Sequence, residues 1–368
     1  MRIFIDGTYL DSKRGTGMNR YLNNLLKGWA SLPNDNKYTV VTRTKVAHPL
    51  AADRRFEFVQ LAPKLLFNVF VWQNLDIPLF LKSEKFDALF FPTYFAPFWG
   101  LNAPVVTLIY DVYYLAHPEW VPFLKYRMLK AGTERAGRVS KGIICGSIYD
   151  RDQIVKYVGV KPEAVKIVYG APAEKFRKMP PTAAFREKYK LGERRIVSCV
   201  GILFNRRHQD TVVRAFDELA DGRKDLQLLL IGYNATHPNI DYKALIASCR
   251  NRDRILHIEY LPEEDMLDMY NSSDLLVYLS SHEGESYPMR EALACGVPCL
   301  TSPMLHEVSG KAAVYVDDPT SVPAVAEGLE KAMTGQRELA ALAAALPRRT
   351  WGDIASETLA CIEQAAAR

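Results

Sequence analysis

Leu275-Leu276-Val277-Tyr278-Leu279 leads, two residues on, into His282-Glu283-Gly284-Glu285-Ser286-Tyr287-Pro288-Met289-Arg290-Glu291-Ala292-Leu293-Ala294-Cys295-Gly296-Val297-Pro298. The apolar run reads as a strand and ends in a polar loop. Pro288 suits the first position of a helix, Glu291 falls in its early turns, and Gly296 then Pro298 stop it. A helix start at the carboxyl end of a parallel strand is an anion site, because its free N–H groups and its dipole both favour a phosphate. Glu283 and Glu291 flank that start, and carboxylates accept hydrogen bonds from sugar hydroxyls well. Phosphate in the middle with hydroxyls on both sides describes a nucleotide sugar.

The same alternation of short β-branched or aromatic runs with helix-length segments extends along the chain, which predicts parallel sheets covered by helices on both faces. In the first half the strands read 2–6, 38–42, 55–59, 87–91, 105–109, 142–145 and 165–169, with helices such as 18–30, 120–136 and 148–157. A second series follows at 195–201, 226–232, 254–258, 275–279 and 297–301. The expected fold class is therefore α/β, with two Rossmann-like doubly wound domains. The Gly- and Pro-rich stretch from Gly170 to Thr182 is the hinge linker. The domains are placed at 1–175 and 176–346, and 347–368 holds one amphipathic helix with Ile354, Thr358, Leu359, Ile362 and Ala366 on one side.

Composition narrows the class. The 368 residues suffice for two domains at roughly 150 residues each. No uncharged apolar run reaches the length of about 18 that a membrane span requires, and the opening Met1-Arg2-Ile3-Phe4-Ile5-Asp6 reads as a strand rather than a signal peptide. Six scattered cysteines, with no CxxC and no His at zinc spacing, predict a reducing cytoplasmic setting and no structural zinc. Residues 1–180 carry 26 Lys/Arg against 15 Asp/Glu, so the net charge of +5 hides a basic first half and an acidic second. Residues 56–126 hold 19 of the 40 aromatics. Those in loops around 95–99 and 113–123 suggest a surface for a sugar acceptor or for anionic lipid headgroups, which would make the protein peripheral on the inner face of the membrane.

Arg206 and Arg207 follow the strand 195–201 and can face the same crevice as the helix start at Pro288, which favours phosphate binding. Asp150-Arg151-Asp152 is the one plausible Asp-x-Asp, but it opens a helix after Ser147, where acids simply suit the dipole. No metal is expected there. Glu283 and Glu291 could also be read as a glycosidase pair, though ligand binding fits a loop carboxylate beside a phosphate cradle better.

Glu283-x7-Glu291 followed by Ala-Leu-Ala-Cys-Gly-Val-Pro resembles the signature of the retaining GT-B glycosyltransferases of family four. Gly201 with Arg206-Arg207 is similar to the family's Gly-x4-Arg-Lys element, whose cations hold the donor diphosphate. Tyr260-Leu261-Pro262-Glu263-Glu264 is similar to the loop beside the nucleobase, and Gly15-Thr16-Gly17 to the first glycine loop. Ser147 with Asp152 resembles the family's Ser-x4-Asp helix start, and the final helix resembles the one that crosses back to the first domain. Three positions depart from the pattern: Tyr110, before Asp111, stands where the family has His; Ser286 stands for the second glycine of the turn; Arg207 stands for Lys.

The resemblance implies two domains facing a central cleft and a retaining hexosyltransferase that uses no cofactor or metal. Its expected partners are a nucleoside diphosphate sugar, with GDP-mannose favoured, and a glycan or lipid-linked glycan acceptor of a surface polysaccharide or glycoconjugate, and no nucleic acid. Arg206, Arg207, Glu283, Asp111 and Tyr110 are the implied catalytic group. Gly15, Thr16, Gly17, Gly201, Tyr260, Leu261, Gly284, Glu285, Ser286, Tyr287 and Glu291 are implied in donor binding. A nucleotide-sugar epimerase and a non-catalytic sugar-nucleotide-binding subunit are the alternatives on this scaffold.

Overall fold

The computed structural model describes residues 1–11, 17–65 and 68–367. Its strands fall into two parallel sheets. The first contains β1 (Arg2–Asp6), β2 (Lys37–Thr42), β3 (Phe56–Gln60), β4 (Ala88–Phe91), β5 (Val105–Leu108), β6 (Ser140–Cys145) and β7 (Val165–Ile167), in the order β3-β2-β1-β4-β5-β6-β7. The second contains β8 (Arg195–Val200), β9 (Leu226–Ile231), β10 (Ile255–Ile258), β11 (Leu275–Tyr278), β12 (Cys299–Thr301) and β13 (Ala313–Tyr315), in the order β10-β9-β8-β11-β12-β13. Ile5 sits between Val40 and Phe90 in the first sheet, and Val197 between Leu228 and Leu275 in the second.

The orders share one property. The first strand of each series lies inside its sheet, and the strands after it are laid down first on one side and then on the other. Each sheet therefore has a point where the winding reverses, between β1 and β4 and between β8 and β11. Such points leave a crevice beyond the carboxyl ends of the strands, because the two flanking loops turn away from each other.

The chain forms two compact units, one made of 1–118, 123–171 and 349–368 and the other of 119–122 and 172–348. In the first, helix α1 (Gly17–Ser31) packs against the terminal helix Trp351–Ala366, which buries Trp351, Ile354, Ala355, Thr358, Leu359, Cys361, Ile362 and Ala365. The buried stripe ends on Ala365, where the sequence suggested Ala366. Trp29 of α1 donates its indole N–H to the carbonyl of Ala355 at 2.9 Å and stacks on Tyr38. The approach is close because Gly28 has no side chain: a Cβ there would stand 2.6 Å from the carbonyl oxygen of Trp351. Thr350 and Asp353 form a reciprocal capping box at the start of the terminal helix.

Three local differences from the sequence reading have physical causes. The helix expected from Trp120 starts at Phe123, after a single turn at Pro118–Trp120, because Pro122 has no N–H and keeps Val121 out of the helical region. Ser286 does not strain the turn where it replaces glycine. Its φ of −125° is ordinary extended backbone, and its hydroxyl caps the following helix. β13 was not anticipated, since three residues at a sheet edge carry almost no period of their own.

Candidate functional site

Beyond β8 and β11, at the reversal point of the second sheet, the loops 201–207 and 279–286 meet. Gly201 has φ of +125°, which favours glycine, and a Cβ on it would stand 2.7 Å from the guanidinium of Arg207. Asn205–Arg207 make one tight turn that presents the two arginines in succession. Between them lies Glu283. Arg206 donates from Nη1 to Glu283 Oε2 at 2.7 Å and to the carbonyl of His282 at 2.7 Å. Arg207 donates from Nε to Oε2 at 3.1 Å and from Nη2 to Oε1 at 3.2 Å. The N–H of Ser281 donates to the carbonyl of Arg206, which ties the two loops together.

The group is buried, with the side chains of Arg206, Arg207 and Glu283 only 6%, 12% and 9% exposed. Burial alone would push the Glu283 carboxyl up, but the two guanidinium charges outweigh it and hold the carboxyl below its usual range. Aromatic faces complete the seat: Phe204 lies 5.2 and 5.5 Å from the two guanidinium carbons, and Tyr278 lies 5.0 Å from that of Arg207. The two guanidinium groups bear on the same carboxylate in a poorly solvated place.

The helix Tyr287–Ala294 starts beside this cluster. Ser286 accepts from the N–H of Met289 at 3.3 Å as its cap, and Glu291, buried, accepts from the hydroxyl of Tyr270 at 2.9 Å. Glu285 pairs with Arg290 on the same helix. Gly284 is buried in the loop, and Tyr287 opens the helix. After β10, Leu261 enters the core while Tyr260 is 66% exposed.

The structure thus gathers Gly201, Arg206, Arg207, Glu283, Gly284, Ser286 and Glu291 in one region of the second unit. Both oxygens of Glu283 are engaged by arginine, so it orients the cations, a role that its sequence position beside a helix start did not reveal. Gly17, Tyr110 and Asp111 belong to the first unit; Gly15 and Thr16 lie outside the described residues. Gly17 opens α1, and the ring of Tyr110 meets Tyr21 edge-on at 5.5 Å. Asp150 is buried under the cap of its helix, its N–H donating to Ser147 Oγ, while Asp152 pairs with Arg151. Among the described residues, no three His, Cys, Asp or Glu side chains are grouped to hold a metal ion, and no helix is long and apolar enough to cross a membrane.

His208, the residue after the two arginines, belongs to the same assembly. It has φ of +48°, unusual for a residue with a side chain, and its Nε2 meets the hydroxyl of Ser281. Burial is the main cause that lowers its pKa, with Asp210 and Asp318 opposing. The folded protein therefore holds this imidazole neutral where the unfolded chain would protonate it, and stability falls as pH drops below about 6.5. Wild type should lose more melting temperature between pH 7 and 5.5 than His208→Asn, whose side chain tolerates the left-handed backbone. Parallel losses in a pH series of thermal melts would dismiss this contribution.

Comparison with known proteins gives a consistent result. Residues 182–348 match the family model described as glycosyl transferases group 1, and residues 15–171 match that of glycosyltransferase family 4. The O-antigen chain mannosyltransferase B of Escherichia coli is 25% identical over 225 residues, 60% of this chain and 58% of that protein. A D-inositol 3-phosphate glycosyltransferase of Rhodococcus jostii is 26% identical over 229 residues, 59% of this chain and 50% of that protein. The match thus spans between half and three fifths of these two relatives. Among solved structures, WaaG, described as a glycosyltransferase involved in lipopolysaccharide biosynthesis, aligns with a TM-score of 0.72 at 19% identity, covering 94% of each chain. Anabaena Alr3699/HepE, solved in complex with UDP-glucose, aligns with a TM-score of 0.70 at 15% identity over 100% of this chain and 98% of that one.

Proposed function

Because the chain belongs to the group 1 glycosyl transferases and has the GT-B fold, we propose that it moves a hexose from a nucleoside diphosphate sugar to a glycan or glycolipid acceptor. GDP-mannose is the favoured donor, surface polysaccharide or glycoconjugate the product, and the anomeric configuration is kept. The observation that carries the reading is the buried Arg206–Glu283–Arg207 cluster at the reversal point of the second sheet, beside a capped helix start. In the proposed reaction the bond from the anomeric carbon to the phosphate oxygen breaks, and a bond to the acceptor oxygen forms on the same face. The acceptor's proton passes to the departing phosphate oxygen. In this reading negative charge grows on the diphosphate, and Arg206, Arg207 and the helix start stabilise it.

A panel of nucleotide sugars tested by thermal shift selects the donor, since a ligand at 100 times its dissociation constant stabilises by about 2.7 kcal/mol. Product analysis then separates the reactions. Transfer requires an acceptor, an epimerase would convert the donor alone, and a non-catalytic subunit would bind without turnover. Activity should survive excess chelator, because two guanidinium groups take the place that a metal ion would otherwise fill. A strict requirement for Mn or Mg would count against this mechanism.

The proposal extends to an anionic membrane surface. Phe123 and Leu124, at the start of the helix Phe123–Val139, are 71% and 76% exposed and adjoin Lys125 and Arg127. Lys130 is 3.9 Å from Glu134, which shares its charge. Wild type should float with anionic vesicles more than with neutral ones, less so at high salt, and Lys125→Glu with Arg127→Glu should abolish the difference. Equal flotation on both vesicle types would point to a soluble acceptor.

A further inference from the structure

The sequence suggests one surface, for an acceptor or a lipid, built from the aromatics around 95–99 and 113–123. One of them lies elsewhere. Residues 119–122 are part of the second unit, while 1–118 and 123–171 belong to the first, so Trp120 parts from its aromatic neighbours. The segment is stiff. Pro118 opens a single turn through Trp120, and Pro122 ends the stretch, so proline restricts the backbone on both sides. Val121 is buried and Trp120 half-buried. The indole of Trp120 meets the imidazole of His282 edge-on, with ring centroids 6.4 Å apart and planes at 83°, a favoured geometry for an aromatic pair.

His282 belongs to the loop that carries Glu283, and the other attachments of that loop decide what the contact does. The N–H of Ser280 donates to Oγ of Ser302, just after β12, at 2.9 Å, and the N–H of His282 donates to Ser280 Oγ at 3.2 Å. The N–H of Ser281 donates to the carbonyl of Arg206 at 2.8 Å, and the hydroxyl of Ser281 meets His208. The carbonyl of His282 accepts from Arg206 Nη1 at 2.7 Å. Three of these five bonds run to the turn that carries the arginines, so the loop holds the arginine that holds the loop. Mutual support of this kind weakens when one side is drawn off. A guanidinium that turns toward an added anion shares or gives up its bond to the His282 carbonyl. Trp120 grips the same residue from outside that turn, through a contact for which an anion does not compete.

We infer that Trp120 is a positioning residue of the anion-binding loop, which by packing on His282 keeps residues 281–283 seated while Arg206 changes partners. The inference rests on the transferase reading in one respect, that the anion is the diphosphate of a nucleotide sugar. Without Trp120 the seated loop becomes one state among several, and apparent affinity for the anion falls with the fraction that stays seated.

The test uses the full chain with inorganic pyrophosphate as the anion. By titration calorimetry, Trp120→Ala should bind it about two- to tenfold more weakly than wild type, the range that one edge-on ring pair supplies. Trp120→Phe should recover most of that loss, because a ring stays in place. His282→Leu should weaken binding to the same extent and the double variant no further, since either change removes the same contact. His282→Leu also serves if Trp120→Ala fails to fold. A residue that only supported folding would leave one readout unmoved, the Trp120 indole signal in nitrogen–proton NMR. That signal should shift on adding pyrophosphate and in His282→Leu, while those of Trp29 and Trp72, buried in the first unit, stay where they are. No pyrophosphate binding to wild type, equal binding to wild type and Trp120→Ala, additive losses in the double variant, or an indole signal indifferent to both changes would each overturn the inference. If the variants weaken pyrophosphate binding as expected but no nucleotide sugar stabilises wild type, the positioning role stands and the transferase reading falls.

Discussion

Arg206→Ala and Arg207→Ala are each expected to lower kcat by about a hundred- to a thousandfold, the cost of losing one preorganised contact to charge that develops in the transition state, roughly 2.7–4 kcal/mol. The two should differ in stability. Arg206 makes the 2.7 Å bond to Glu283 and also holds the carbonyl of His282. Its removal leaves a buried carboxylate with one partner, at a cost near the lower end of about 3–5 kcal/mol for breaking a buried pair, because Arg207 still binds both oxygens. Steady-state kinetics with saturating donor measure the first effect, and denaturant unfolding followed in the second unit measures the other. Near-wild-type turnover in both variants would remove the arginines from the reaction. Arg207→Lys should recover part of the activity, since it restores the charge without the fork that grips both oxygens.

The second large effect is structural. A chain ending at Arg349 lacks the helix Trp351–Ala366 and so uncovers Trp29 and its neighbours on α1. The first unit should then aggregate or become protease-sensitive, while residues 172–348 stay protected. Single changes should grade the same loss: Ile362→Ala, fully buried, costs about 2–5 kcal/mol. Gly28→Val forces the two helices apart without removing any contact atom. Unchanged solubility and digestion pattern in the truncated chain would show that this helix is dispensable to the unit it covers.

The parts of this architecture that were legible in the sequence are those written in local patterns. Leu275–Leu279 announced a buried strand, Pro288 and Gly296 bracketed a helix, and Ile354, Thr358 and Ile362 marked the inner face of the last one. What stayed hidden depends on residues far apart in the chain. Arg206 and Glu283 are 77 positions apart, and nothing local says that a loop carboxylate is captured by two guanidiniums instead of facing a sugar. One signal was available: Tyr278 is a polar-tipped aromatic at the end of an otherwise aliphatic strand, as a cation's seat requires. Ser286 is a departure from a glycine pattern whose ordinary backbone angle and capping hydroxyl only the structure reveals.

The first unit draws its residues from both ends of the described chain, with the whole of 172–348 inserted between them. Synthesis on a ribosome runs in one direction, so this unit has all its strands when Ile167 emerges yet waits for its last helix until the inserted unit has been translated. At about 5–20 residues per second the wait is on the order of 10–40 s, long compared with the folding of a small domain. During that interval the apolar side of α1 has no cover, and the nascent protein is at its most adhesive. The second unit, whose segment 172–348 is continuous, can fold within the same interval, so the part of the chain begun first is the part finished last.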